Sequence, residues 1–266
     1  MLPASAAGAA AGEDPEVKGR RIVMESLAAL GGDRFLDVQD RVEEGRAYSF
    51  FNEQLSGLSK AKIYFRYLTA PEPPVKAFVG LRERQIFGKK EDAYVLFNEN
   101  GGYTVTFRGA KPVAAPDFER YRESLLHNVL YILRMRLREP GMVFEAKTGE
   151  LYNNSPVDVV DIIDSDNRTV TVYFDRLSHL PVRQMWMRRN AISKERDEEV
   201  TLFSKFRDSG NGVLWPWAIR RERNGERIYE MFCEGVTLNA GLTDEKFTLP
   251  SNIKIITGKE LRPGRK

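Results

Sequence analysis

Two histidines, His127 and His179, are the only side chains in the sequence that ordinarily titrate near neutrality. They could act as a general acid and base, or share a metal, only if the fold brings them together. The pattern reads His127 as a helix-surface residue and His179 as part of a polar turn. The single cysteine, Cys233, allows no intrachain disulfide and no zinc site built on cysteine pairs. It sits in a strand with no basic helix end nearby in sequence, so packing is its expected role. No Gly-x-Ser-x-Gly elbow and no His-Glu-x-x-His pair occurs. Gly80 and Gly88-Lys89-Lys90 are spaced wrongly for a phosphate loop, and Lys90 is followed by Glu91. "DSDNRT" (Asp164–Thr169) opens like a calcium loop but lacks the glycine at its sixth place and the glutamate at its twelfth. It reads as a turn, which Asp, Ser and Asn favour. No catalytic residue, metal ligand or cofactor site is therefore assigned, and the expectation is not an enzyme. A hydrolase that gathers His127 or His179 with carboxylates stays open as one alternative.

The elements that would carry any site come from periodicity. "PEVKGRRIVMESLAALGG" reads as a helix, with Val17, Ile22, Val23, Leu27 and Leu30 on one stripe and Gly31-Gly32 as its end. The period then changes to two through "RFLDVQDRVEEGRAYSFFNEQ", bent near Gly45, then Lys62–Thr69, Lys76–Gly88, Asp92–Asn98 and Tyr103–Gly109. "ENGG" between the last two is a hairpin signal. Pro116–Gly141 breaks the pattern as a helix of about six turns with a wide apolar face. Seven further strands follow, from Met142–Lys147 to Arg227–Val236, separated by "DSDN", "DSGNG" and "RNG" turns.

About a dozen strands joined by short turns, with no repeated crossover helix, imply an antiparallel meander. A meander this long must curl. The expected fold class is mainly β with two helices, an unclosed antiparallel barrel or half-barrel with a helical lid. Residues 15–250 read as one domain, residues 1–14 as a disordered linker or signal remnant, and 251–266 as a basic tail. The start "MLPASAAGAAAGEDPE" has the small-residue texture of a signal cleavage region, yet lacks the basic start and apolar stretch of a complete signal. A trimmed export signal and a flexible Ala/Gly linker both fit. No stretch is apolar enough over about 18 residues to span a bilayer as a helix. The 41 basic and 38 acidic side chains are interspersed, which argues against a nucleic-acid partner.

Large apolar side chains are concentrated in the C-terminal strands. Val170, Val172 and Phe174 share one face of their strand. Val182 and Trp186 are expected on one face of the next, with Met185 and Met187 on the other. "VLWPWAI" groups Trp215, Trp217 and Ile219, and Ile228 and Phe232 share a face. Pro216 implies an edge or a bulge. Side chains of these kinds are commonly plain core.

"VYFDRLSHLPVRQ" (Val172–Gln184) resembles the strand–Asp–turn–Leu-Pro–strand hairpin of the LolA-like lipoprotein carriers. "FSKFRDSGNGVLWPWAIRRERNGER" (Phe203–Arg227) and "TLNAGLTDEKFTLP" (Thr237–Pro250) are similar to the elements that follow, the last with an Asn, a short turn and Phe-x-x-Pro. "SLAALGGDRFLDVQD" is similar to the opening helix. The resemblance spans about a third of the chain by these pieces taken in order. It implies a half-barrel with a lid, a periplasmic setting, and an apolar cavity for lipoprotein acyl chains or another lipid. On that basis Val172, Phe174, Trp186, Phe203, Trp215, Trp217, Ile228 and Phe232 are the expected cavity wall. Leu126, Val129, Leu130 and Leu133 are the expected lid contacts. No counterpart of the carriers' polar lid-securing residue is evident in the first half, and the central helix is longer than the carriers'. A relative that senses envelope state through a protein partner is the other alternative.

Overall fold

The computed structural model describes residues 13–88, 91–190 and 194–256. Asp14 opens helix α1 (Pro15–Leu30), its carboxylate accepting from Glu16 N at 2.8 Å and Val17 N at 3.2 Å. Asp14 and Glu13, which pairs with Arg21, are thus structured, while residues 1–12 of the expected linker lie outside the described residues. Gly31, at φ 127°, ends the helix. Val17 faces solvent instead of joining the apolar stripe. Gly19 holds the close contact instead: a Cβ there would lie 2.1 Å from Phe144 O, so α1 lies directly on a strand of the sheet. The single turn α2 (Asp33–Leu36) then puts Phe35 against Trp215.

The sheet has fourteen strands, all paired antiparallel. Its first half is β1 (Asp40–Phe51), β2 (Gln54–Tyr67), β3 (Leu81–Phe87), β4 (Tyr94–Asn98), β5 (Gly101–Thr106) and β6 (Gly109–Pro112). Its second half is β7 (Val143–Ala146), β8 (Glu150–Tyr152), β9 (Ser155–Ile163), β10 (Thr169–Asp175), β11 (Pro181–Arg189), β12 (Arg196–Asp208), β13 (Leu214–Arg223) and β14 (Glu226–Leu238). The spatial order runs β6 to β1, then β14 back to β9 and β7, with β8 also on β9. The chain therefore starts mid-sheet, meanders to one edge, jumps to the far edge, and meanders back to pair β14 with β1. That jump is the helical insert, so the insert bridges the two ends of an open sheet. This is a half-barrel with a helical cover.

Asn239 and Asp40 fix the central seam. Asn239 Oδ1 accepts from Gln39 N at 2.7 Å, and the Asp40 carboxylate accepts from Ala240 N at 2.6 Å and Leu242 N at 2.9 Å. The chain beyond then covers the outer face of β1–β4, where Phe247 joins Val42, Tyr64, Ile86 and Leu96 in a second core. This gives the "TLNAGLTDEKFTLP" segment its physical purpose. Beyond it Ile256 N donates to Ala110 O at 2.8 Å, so the expected tail begins as an edge pairing, and residues 257–266 lie outside the described residues.

Several boundaries differ from expectation. Residues 76–80 are loop rather than strand, because the Tyr131 hydroxyl accepts from Gly80 N and donates to Phe78 O. A register shift between Tyr173 and Phe174 leaves Val182 as an extra residue, so it packs with Met185 rather than beside Trp186. Pro216 lies in an interior strand, yet β13 pairs with β14 only from Ala218 onward, so the missing N–H breaks no ladder on that side.

Candidate ligand-binding site

The expected six-turn helix is interrupted. Helix α3 (Ala115–Leu126) stops at His127, and Asn128 caps a new start by accepting from Tyr131 N at 3.1 Å. Helix α4 (Val129–Tyr131) passes directly into a π-helical turn, Ile132–Arg136. The break is held by side chains distant from it, one on the sheet and one further along the insert. Gln184 Oε1 on β11 accepts from Val129 N at 2.8 Å, and Arg136 Nη1 donates to Leu126 O at 2.5 Å. Both chain ends at the break thereby gain partners they would otherwise find inside one continuous helix.

The second half is a plug. Val129, Leu130, Tyr131, Ile132 and Leu133 are all buried in the main core. Arg136 is 2% exposed and bonds Glu139 through two nitrogens, at 2.6 and 3.0 Å, and Asp164 at 2.8 Å. Asp164 is the first residue of the "DSDN" turn and also accepts from Asp166 N and Arg168 N. Its carboxylate thus serves as a turn organiser and a counterion. Glu139 reaches the other side of the mouth, accepting from Ala77 N at 2.8 Å. Helix α3 is different: only Leu126, at its end, is buried. It rests on an aromatic stack, with the Tyr121 ring 3.9 Å from that of Phe97 on β4 and Phe118 beside both.

Between the insert and the concave face of the sheet lies a cavity of about 510 Å³. Its apolar wall includes Ile63, Phe65, Leu125, Leu130, Trp186 and Phe203. Trp215, Ile228 and Met231 add to it. Of the expected wall, Trp186, Phe203, Trp215 and Ile228 border the cavity. Val172 and Phe174 are fully buried in the core beside it. Trp217 packs at the periphery of the core and donates Nε1–H to Ser209 Oγ. Phe232 borders a separate hollow of about 340 Å³ with Val182, Ala218 and Glu230. Of the expected lid contacts Leu130 borders the cavity, while Leu126, Val129 and Leu133 are buried around it.

The wall is less apolar than the sequence suggests. Arg41 is buried over the Phe65 ring at 3.6 Å and the Trp215 ring at 4.5 Å. Its Nε donates to Glu43 Oε1 at 2.8 Å and its Nη1 to the Tyr67 hydroxyl at 2.9 Å. Trp215 Nε1 donates to the same Glu43 oxygen at 3.0 Å. Glu83 and Gln85 lie further along, Gln85 Nε2 donating to Glu83 Oε1 at 2.5 Å. Burial pushes the Glu83 carboxyl above its usual range, with Gln85, Arg221 and Arg41 opposing the shift in part. Sequence reading missed Arg41, Glu83, Tyr121 and Arg221. The available signal was that β1 carries Arg41 and Glu43, and β3 carries Glu83 and Gln85, on the period of the apolar face.

Neither histidine borders the cavity. His127 is buried rather than on a helix surface. Its ring stacks on Trp186 at 4.0 Å, Nδ1 lies 2.6 Å from Glu123 O, and burial lowers its pKa. His179 takes a left-handed turn position, φ 58°, near Glu25 of α1. Burial pushes the Cys233 thiol up to about 12, which leaves it a poor nucleophile. Among the described residues no group of three or more His, Cys, Asp or Glu is placed to hold a metal, and no helix is long and apolar enough to cross a membrane.

No protein-family model and no curated protein matches the sequence. Solved structures do match the fold. A DUF1329 family protein from Desulfovibrio piger superposes with a TM-score of 0.59 at 12% identity, over 89% of this chain and 98% of that one. A putative outer membrane lipoprotein-sorting protein domain from Vibrio parahaemolyticus gives 0.55 at 12% identity, over 87% and 97%. The fold is LolA-like. The LolA-like likeness read from the C-terminal hairpins thus holds for the architecture of nearly the whole chain, the N-terminal half included.

Proposed function

We propose that residues 15–250 form a non-enzymatic, periplasmic binding unit that holds the acyl chain of a lipid or lipidated protein in the cavity under α3. The observation that carries this reading is the cavity itself. Its volume lies within the range of small-molecule sites, roughly 300–1,000 Å³, and its cover is a helix with one fully buried residue, Leu126. Binding an acyl chain gains roughly 0.8 kcal/mol per buried CH₂. Displacing α3 from the cavity gives up the stack of Phe118 and Tyr121 on Phe97 and the packing of Leu125 and Leu126, less than the plug holds, which a long chain can offset. Trp186, Phe203, Trp215 and Ile228 are the proposed wall, joined by Phe65 and Leu130. The fold likeness to a putative outer membrane lipoprotein-sorting protein domain supports the periplasmic setting. Native mass spectrometry of protein purified from a bacterial envelope should show a bound amphiphile that detergent exchange removes. Protein without adducts that also fails to take up a naphthylamine fluorescent probe would refute the reading.

A second reading, contact with an envelope protein, is favoured by the tip of the β1–β2 hairpin, where Phe51, Leu55 and Leu58 are exposed. Lipid-independent capture of one defined protein that is lost on Phe51→Ser would favour it.

A further inference from the structure

Most charges on the cavity wall are already paired. Arg41 bonds Glu43, Glu199 is held by Arg188 and Arg223, and Asp117 lies 3.4 Å from Arg120. Two charged side chains stand outside these pairs, Arg221 and Glu83. Arg221 projects from β13 into the mouth, is exposed, and has no carboxylate within ion-pairing distance among the described residues. Glu83 is buried, and Gln85 is its hydrogen-bond donor. The Tyr121 hydroxyl on α3 is buried beside it, with the Glu83 carboxyl as its near polar neighbour and no hydrogen bond of good geometry. A buried hydroxyl at a cavity wall with only a poorly aligned carboxyl neighbour can still donate to a ligand head group.

We propose that this end of the cavity selects an anionic amphiphile, a single acyl chain ending in a carboxylate or phosphate, with Arg221 and Tyr121 donating to the head group. The inference rests on the reading of the cavity as an amphiphile site and adds the chemistry of the head. Arg221 supplies a charge-assisted hydrogen bond at the mouth. Tyr121 supplies a neutral donor just inside, carried by the helix that must move. Burial favours the protonated form of Glu83, which limits its repulsion of an anion. A cationic head would meet Arg221 and gain no compensating free carboxylate at the mouth.

The test is calorimetric titration, below micellar concentrations, with laurate, dodecyl phosphate, dodecyltrimethylammonium and inorganic phosphate. Laurate and dodecyl phosphate should bind at least about tenfold more tightly than dodecyltrimethylammonium, a difference of about 1.4 kcal/mol. Inorganic phosphate should show no heat of binding. Arg221→Gln, at an exposed position, and Tyr121→Phe should each weaken both anions about three- to tenfold, while Arg221→Gln strengthens dodecyltrimethylammonium and Tyr121→Phe leaves it unchanged. Equal affinities for anionic and cationic chains would overturn the head-group inference while leaving the amphiphile site intact. Failure of every dodecyl compound to bind would overturn both. Phosphate binding as tightly as dodecyl phosphate would mark a site for free anions and overturn the inference too.

Discussion

The two halves of the helical insert are neighbours in sequence and opposites in how they are held. Residues 129–136 are locked by apolar burial and by an ionic cluster that reaches three other parts of the chain, Asp164, Glu139 and the carbonyl of Leu126. Helix α3 rests on Phe97 through Phe118 and Tyr121, adds Leu125, Leu126 and a Glu123–Arg168 ion pair at its end, and leaves Asp117, Glu119 and Arg120 exposed. One short insert therefore contains a fixed plug and a light cover. The difference teaches how an open sheet can keep a core and a cavity side by side: the plug fills one end of the trough permanently, and the cover closes what remains.

Breaking the plug should have the largest effect. Arg136→Leu leaves Glu139 and Asp164 buried without their cation and should lower the unfolding free energy by about 3–5 kcal/mol in urea titrations. Leu133→Ala, in the plug, should cost about 2–5 kcal/mol, whereas Phe118→Ala, in the cover, should cost less than about 1 kcal/mol in the same assay. Similar losses for the two would erase the distinction between plug and cover.

The pH response should separate the plug's counterion, Asp164, from the cavity-wall carboxyl beside the cover, Glu83, by sign. Burial alone raises the Asp164 carboxyl, but hydrogen bonds from Arg136 and from the backbone and side chain of Arg168 outweigh it and leave it below its usual value. Its contribution is present above the unfolded pKa and is lost as pH falls through the folded one. Glu83 behaves oppositely. Its raised folded pKa gives a contribution present below the unfolded value of about 4.5, lost as pH rises through the folded value. Glu83→Gln should therefore stabilise the protein at pH 8 relative to wild type, with a smaller gain at pH 4. A gain that is larger at pH 4 would mean that Glu83 is held as a carboxylate.

The meander was legible because turn chemistry marks it locally: "ENGG", "DSDN" and "RNG" each sit where a hairpin turns. The half-barrel followed from strand number and the lack of crossovers. The helix break at His127–Asn128 was not legible. No proline or glycine interrupts the apolar pattern there, and the groups that stabilise the break, Gln184 and Arg136, act through tertiary contact. The polar cavity wall was hidden for a related reason. Charged residues on alternating strand positions usually signal a solvated face, and only the curvature of the sheet turns Arg41, Glu43 and Glu83 inward. Val182 was misplaced because one bulge reverses the facing of the residue at it. Trp186, Phe203 and Trp215 were placed on the wall by the family resemblance together with strand alternation, and each lies several residues from a register shift.

Hydrogen exchange followed by mass spectrometry, with and without laurate, tests the central claim most directly. Amides of residues 116–126 should exchange faster than those of 129–136 in the free protein, and laurate should further loosen or reposition the first segment while leaving the second unchanged. Equal protection of both segments, or a change on laurate binding confined to 129–136, would contradict a fixed plug beside a movable cover.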